Sequence, residues 1–345
     1  MSNLDAPFRA PAKAPIIVML DWMRVPLEGE ALRTSLNALV RTGLESLPKP
    51  GKGRTLERWR MLAAVAERDL SLVKLFEGHV DALAILSELH GPALPVGATC
   101  GTWASESSSC RLELAHSGNG RSTLSGRKQW CSGAPMLSHA LVTAWQGDVS
   151  RLALVQLGQP GVTVTRDGWN AVGMKACTSV DVIFDAAEAV PVGHAGSYLH
   201  RPGFWHGGAG IAACWYGGAC SIAQGLFGLA KAVDSPFLKS NLGQVAARLT
   251  AARAALAQAA AWIDAQPEAN AERIALEVRT LIEQTAREVI ELAGRSLGAF
   301  AYCKDPGLSQ RLADLPVYLS QSHAERDWQR LGTFCVESGI ENWSL

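Results

Sequence analysis

The order of periodicities along this 345-residue chain constrains its fold more than any single motif: helical, then strand-like, then helical again. From Leu27 to about Leu89, the stretches LEGEALRTSLNALVRTGL and TLERWRMLAAVAERDLSLVKLFEGHVDALAILSEL place Leu, Val, Ala and Trp at i, i+3, i+4 and i+7. LPKPGKG between them is a turn-rich connector. The texture changes at Gly91. After the Gly/Pro-rich GPALPVGATCGTW come short runs separated by Gly, Asn, Asp or Pro: RLELAHS, STLSGRKQW, ALVTAWQ, RLALVQL, VTVTRD and SVDVIFD. These read as the strands of an antiparallel sandwich or barrel, ending near Val190-Pro191-Val192. Beyond Arg201-Pro202-Gly203 the helical period returns, with helices expected over about Gly207–Val233, Leu242–Ala265, Ala271–Gly294 and Leu308–Leu331. Pro236, Pro267 and Pro306 punctuate them.

Helices and strands are thus segregated rather than alternating, which excludes a doubly wound fold. No Gly-x-Gly-x-x-Gly follows a strand, so a Rossmann dinucleotide site is not indicated. The length calls for two or three subdomains. Their expected bounds are an N-terminal helical part over 1–90, a β part over 91–195 and a C-terminal helical part over 196–345.

Charge and apolar content narrow the function classes. The formal net charge is zero, which argues against a nucleic-acid surface. The apolar run Ile16–Leu20 is too short for a signal-peptide core or a membrane span, which makes the cytoplasm the default expectation. The eight cysteines show no C-x-x-C pairing and no neighbouring His at metal spacing. They read as small buried hydrophobes, and no metal is expected.

Two segments of the β region carry a family likeness. One is Leu124-Ser-Gly-Arg-Lys-Gln-Trp-Cys-Ser-Gly-Ala134, where Gly-x-Lys is followed by Trp-x-Ser and a small residue. The other is Trp169-Asn-Ala-Val-Gly-Met-Lys-Ala-Cys-Thr-Ser-Val-Asp-Val-Ile-Phe-Asp185, ending at Val190-Pro191. Both resemble signatures of the acyl-CoA dehydrogenase superfamily, and the helix–barrel–helix order agrees. The resemblance implies an α+β multidomain fold with N-terminal helices, a central antiparallel β-barrel and a C-terminal four-helix bundle. It also implies FAD, with Trp130 against the isoalloxazine, Cys131 beside it, and the Ser132 hydroxyl near N5. Thr102, Ala104 and Ser105, in the segment ending at Glu106, resemble a loop whose backbone and hydroxyl reach the flavin. The alternative for Trp130 and Trp103 is that both are barrel hydrophobes.

Departures from the family pattern are equally informative. After Glu106 the chain reads Ser-Ser-Ser-Cys-Arg and the loop is shortened. Where the family carries an Arg that reaches a neighbouring subunit's flavin, only Lys239 is available. Arg295, in Ala293-Gly-Arg-Ser-Leu-Gly298, either contacts a flavin phosphate or caps the preceding helix. The glutamate base of the family is missing from both its usual positions. One reads Ser322 in the stretch after Asp314, and the other reads Phe204-Trp205-His206-Gly207-Gly208. A histidine stands at each, His206 and His323, either as a base or hydrogen-bond donor at the reaction centre or as a structural residue. Glu77 and His79 read as N-terminal capping residues of a helix, and Glu325 and Asp327 as a solvated face.

The implied activity is α,β-desaturation of an acyl-CoA or acyl-carrier thioester. Monooxygenation on the same fold, or a non-catalytic binding role, stand as alternatives. An electron-transfer flavoprotein or flavin reductase would serve as redox partner. The long amphipathic C-terminal helices predict a homodimer or homotetramer, with neither nucleic acid nor membrane as partner.

Overall fold

The computed structural model describes residues 26–44, 46–106, 110–116 and 121–339. The Ile16–Leu20 run, and Ser107–Ser109 of the shortened loop, lie outside the described residues. Three N-terminal helices come first: α1 (Gly29–Arg41), α2 (Thr55–Arg68) and α3 (Leu70–Glu88). In α1 the period of apolar residues buries Leu32, Leu36, Leu39 and Val40 along one stripe. The second helical run, read from sequence as continuous, is broken at Asp69. This residue turns to extended backbone, and its carboxylate accepts the Leu72 N–H at 2.8 Å and the Leu27 N–H at 3.1 Å. An Asp that caps one helix cannot also continue the preceding one.

Seven strands follow: β1 (Cys100–Trp103), β2 (Leu112–His116), β3 (Ser122–Cys131), β4 (His139–Gln146), β5 (Val149–Gln156), β6 (Val162–Val164) and β7 (Val180–Val192). Strand β5 pairs antiparallel with the whole of β4, then with β7; β7 pairs with β3, β3 with β2, and β2 returns to β4 through Glu113 and Trp145. The ring closes into a small barrel, with β6 added beside β7. It is not the wholly antiparallel barrel expected from sequence. Both β1 and β2 run parallel to β4, in series along its other edge, because the chain between them carries forward instead of reversing. Strand β1 itself falls in the Gly/Pro-rich stretch that the sequence reads as irregular.

The C-terminal part holds α4 (Ser197–His200), α5 (Gly203–Ala232), α6 (Pro236–Ala265), α7 (Glu272–Cys303), α8 (Pro306–Leu319) and α9 (Glu325–Ser338). The last helix expected from sequence is therefore two helices. Ala324 has a positive φ of 44°, and its N–H is taken by the Ser322 hydroxyl at 3.1 Å, which ends the helical ladder. Close approach of α5 to α2 depends on glycine: a Cβ on Gly217 would overlap the Ala63 carbonyl oxygen. One continuous apolar core runs from Leu32 of α1 through the barrel to Leu319 of α8. No helix among the described residues is long and apolar enough to cross a membrane.

Candidate functional site

Helix α3 lies between the barrel and the C-terminal helices, and its two faces define two polar regions. The first is the barrel rim. Gly78 of α3 offers its carbonyl to the Thr102 hydroxyl at 2.9 Å, and Ser71 offers its carbonyl to the Cys177 thiol at 3.7 Å. Leu75 lies against Gly133. At this rim, β3 ends in a bulge between Lys128 and Cys131, where Trp130 adopts a left-handed φ of 61°. That backbone is strained for an aromatic residue. The indole is 54% exposed and meets Trp169 edge-on, with ring centroids 6.3 Å apart. Beside it, the half-buried Ser132 hydroxyl shares a hydrogen bond of 2.8 Å with Ser179. Cys131 is buried, its thiol donates to the Lys128 carbonyl at 3.2 Å, and burial pushes its pKa up. Only its backbone is available to a ligand.

Trp103 is buried and donates its indole N–H to the Ser132 carbonyl at 3.1 Å, tying the two rim segments together. Ala104 and Ser105 follow at the surface end of β1. Glu106 folds back onto the barrel, where the Lys128 ammonium reaches it at 3.1 Å and the Trp145 N–H at 3.0 Å, and Thr143 bonds the same carboxylate. Burial raises the Glu106 pKa, but Thr143 and Lys128 outweigh it and hold the carboxylate ionised. The structure therefore brings Thr102, Trp130 and Ser132 to one rim, with Glu106 occupied in closing the barrel.

The second region is inside the helical layer, on the adjoining face of α3. Lys74, Glu77 and Asp81 recur there at i, i+3 and i+7, each mostly buried, instead of capping a helix start as the sequence reading had Glu77. Glu77 sits mid-helix because Asp69 has already taken the capping role. Burial raises the Glu77 pKa; Lys74, Arg58 and Arg279 pull it down, while Asp81 pushes it up. Lys74 is 3.8 Å from Glu77, donates to Gln321 at 3.1 Å and lies over the Tyr318 ring. Arg58 is only 4% exposed and reaches Asp81 at 4.0 Å. Arg279 donates to the Gly208 carbonyl at 2.9 Å, stacks over Trp215, and stands 4.0 Å from Asp327. Asp327 is thus buried rather than part of a solvated face. The sequence shows only the α3 part of this cluster, Lys74, Glu77 and Asp81 on one stripe; Arg58, Arg279 and Asp327 come from other helices.

His79, the other residue read as a cap, is buried and accepts the Cys100 N–H on Nδ1 at 3.1 Å, joining α3 to β1; burial lowers its pKa to about 4. His206 is buried at the start of α5, its Nε2 has no hydrogen-bond partner, and burial lowers its pKa. It lines a cavity of about 420 Å³ with Gly51, Glu88, Arg201 and Glu268. Glu88, which anchors Arg201 and the Gly203 N–H there, is ten residues beyond Gly78 on α3, about 15 Å along the helix axis. His206 is thereby set apart from the rim. His323 is exposed in the connector between α8 and α9. Arg295 is also exposed, in an i,i+4 ion pair with Glu291 at 3.1 Å, before the kink at Gly298 in α7.

Residues 198–319 match the family model described as acyl-CoA dehydrogenase, C-terminal domain. With the helix–barrel–helix architecture, this match shows an acyl-CoA dehydrogenase-like fold whose C-terminal helical part resembles that family's domain. Butyryl-CoA dehydrogenase from Megasphaera elsdenii superposes with a TM-score of 0.77 over 90% of each chain at 14% identity. KijD3, in complex with FMN and dTDP-3-amino-2,3,6-trideoxy-4-keto-3-methyl-D-glucose, gives 0.74 over 95% of this chain and 91% of its own at 20% identity. TdsC from Paenibacillus sp. A11-2, in complex with FMN and indole, gives 0.72 over 90% of each at 20% identity. TdsC is described as a dibenzothiophene monooxygenase. No curated protein matches the chain by sequence. At these identities the likenesses establish the fold.

Proposed function

We propose that the chain is a flavin-dependent oxidoreductase in which Glu77 serves as the base. The observation that supports this most is the Thr102–Gly78 hydrogen bond, which sets the barrel rim one residue along α3 from a buried carboxyl. The rim fits an isoalloxazine. Trp130 offers an exposed flat face held out by a strained backbone, Ser132 offers a hydroxyl beside it, and Thr102 keeps lone pairs free while donating to Gly78. Bound there, a flavin supplies the two-electron acceptor that desaturation of an acyl thioester requires. Glu77 takes the proton lost from the carbon beside the carbonyl, and its raised pKa brings its basicity closer to that of the working pH. Lys74 and Arg279 stabilise the negative charge that remains on Glu77 whenever it is unprotonated.

The flavin can be FAD or FMN. Arg295, assigned from the resemblance to the phosphate end, is occupied by Glu291, which removes one reason to prefer the longer cofactor. A second reading, monooxygenation with reduced flavin delivered by a reductase, is favoured by the charged stripe of α3, which suits a polar substrate better than an aliphatic chain. In that reading Glu77 manages a proton at a substrate heteroatom. The homodimer or homotetramer expected from sequence fits the exposed Phe227, Phe237, Phe300 and Tyr302 on the C-terminal helices.

Titration of the purified protein with FMN and FAD, followed by flavin fluorescence, tests the cofactor; no binding of either removes the proposal. Anaerobic mixing of the loaded protein with acyl thioesters then separates the two chemistries. Bleaching of the flavin absorbance supports desaturation, and oxygen uptake with reduced flavin plus a hydroxylated product supports monooxygenation.

A further inference from the structure

Within the helical layer, hydrogen-bond donors outnumber the acceptors placed to meet them. The indole N–H groups of Trp59 and Trp215, the Tyr318 hydroxyl and the Arg279 Nε–H are all buried without a hydrogen-bond partner of normal geometry. Among the described residues around them, the side-chain acceptor left without a partner is one oxygen of Asp327. Trp59, Trp215 and Tyr318 are each no more than 2% exposed. Buried donors without acceptors are rare, and each one left unmade is destabilising. The ion pairs nearby are long: Arg58 to Asp81 and Arg279 to Asp327 both span 4.0 Å, beyond hydrogen-bond range.

Trp59, Arg279 and Asp81 meet at the first turns of α5. A Cβ on Gly210 would lie 3.3 Å from the Trp59 indole nitrogen, and one on Gly207 would lie 2.6 Å from Asp81. Arg279 reaches the same turn through the Gly208 carbonyl and stacks on Trp215, which in turn meets Tyr318 edge-on. Glycines at 207, 208 and 210 leave this turn bare beside Asp81, Arg279 and Trp59, and the Arg58 and Arg279 guanidiniums both act on Glu77.

We propose that this interior site binds the carboxylate of a small substrate, gripped by Arg58 and Arg279 and met by the indole N–H groups of Trp59 and Trp215. A planar two-oxygen anion matches the guanidinium fork and supplies four lone-pair directions to the unmet donors. Lys74, Arg58 and Arg279 bring three cations to this cluster, among the carboxylates of Glu77, Asp81, Asp327 and Glu283. The proposal rests on the oxidoreductase reading only for what is then done to the bound molecule.

Calorimetric titration of the flavin-free full chain with glutarate tests it, with glutaramide and inorganic phosphate as the comparison ligands. Glutarate binds, glutaramide binds at least about tenfold more weakly, and Arg58→Met and Arg279→Met each weaken glutarate binding by about tenfold or more, while Arg248→Gln at an exposed ion pair does not. Tyr318→Phe keeps the packing and removes one donor, and Trp215→Phe removes another while leaving a smaller ring; both weaken glutarate binding several-fold, and only Trp215→Phe also lowers the melting temperature. Trp130→Ala leaves glutarate binding intact while removing flavin binding, so failure of the flavin reading and failure of this one are told apart. Absence of glutarate binding, equal binding of glutaramide or phosphate, or indifference of glutarate affinity to Arg279→Met and Trp215→Phe overturns the proposal and leaves the cluster a water-filled structural network.

Discussion

The barrel rim and the interior of the helical layer both carry tryptophans, and they carry them in opposite ways. At the rim, Trp130 is exposed on a strained backbone and presents its ring face. Inside, Trp59 and Trp215 are sealed in relaxed helices and present unmet N–H edges. The lesson is that a face turned outward and an edge turned inward call for different ligands. A flat apolar ring suits the first, and an acceptor-rich anion suits the second.

The largest test of this contrast is stability. Trp215→Ala empties a fully buried site and is expected to cost about 3–5 kcal/mol by denaturant unfolding, while Trp130→Ala costs less than about 1 kcal/mol. Equal losses would erase the distinction. Next comes chemistry. Glu77→Gln keeps the shape but removes the base, so turnover by the flavin-loaded enzyme is expected to fall by about 10²–10⁴-fold with flavin affinity unchanged. Retained turnover would move the base elsewhere.

A pH effect of intermediate size probes the seam between the regions. His79 is held neutral by burial, with its pKa lowered from 6.5 to about 4. A depressed folded-state pKa stabilises at pH above the unfolded value and loses that contribution as pH falls through the folded one. The wild type is therefore expected to lose up to about 3 kcal/mol between pH 6.5 and 4 relative to His79→Gln, measured as the difference between their unfolding curves. The smallest effect belongs to Arg295→Ala. An exposed i,i+4 pair contributes less than about 0.5 kcal/mol, and flavin affinity is expected to change less than threefold. A larger drop in affinity would restore its phosphate role.

The helical and strand regimes were readable because side-chain period survives any tertiary arrangement: β2 to β5, β7 and the long C-terminal helices fall where the spacing put them. Where a local polar group overrides the period, the reading slipped. Asp69 splits one helical run and Ser322 ends another, and neither break changes the apolar spacing around it. The parallel pairing of β1 was hidden by glycines and prolines that spell irregular chain. The rim residues Thr102, Trp130 and Ser132 were legible through local motifs. The interior cluster was not, because Arg58, Glu77, Arg279 and Asp327 come from four helices, and only packing makes them neighbours.

The segment that follows Trp169 is stitched to α8. The Met174 N–H is taken by Asp314, whose burial raises its pKa to about 6, and a Cβ on Gly173 would overlap the Ala313 carbonyl oxygen. Trp169 touches Trp130 at the rim, and Tyr318 sits one turn beyond Asp314 facing the interior. The rim and the interior therefore share one wall, and a bulky residue at position 173 would press α8 away from it.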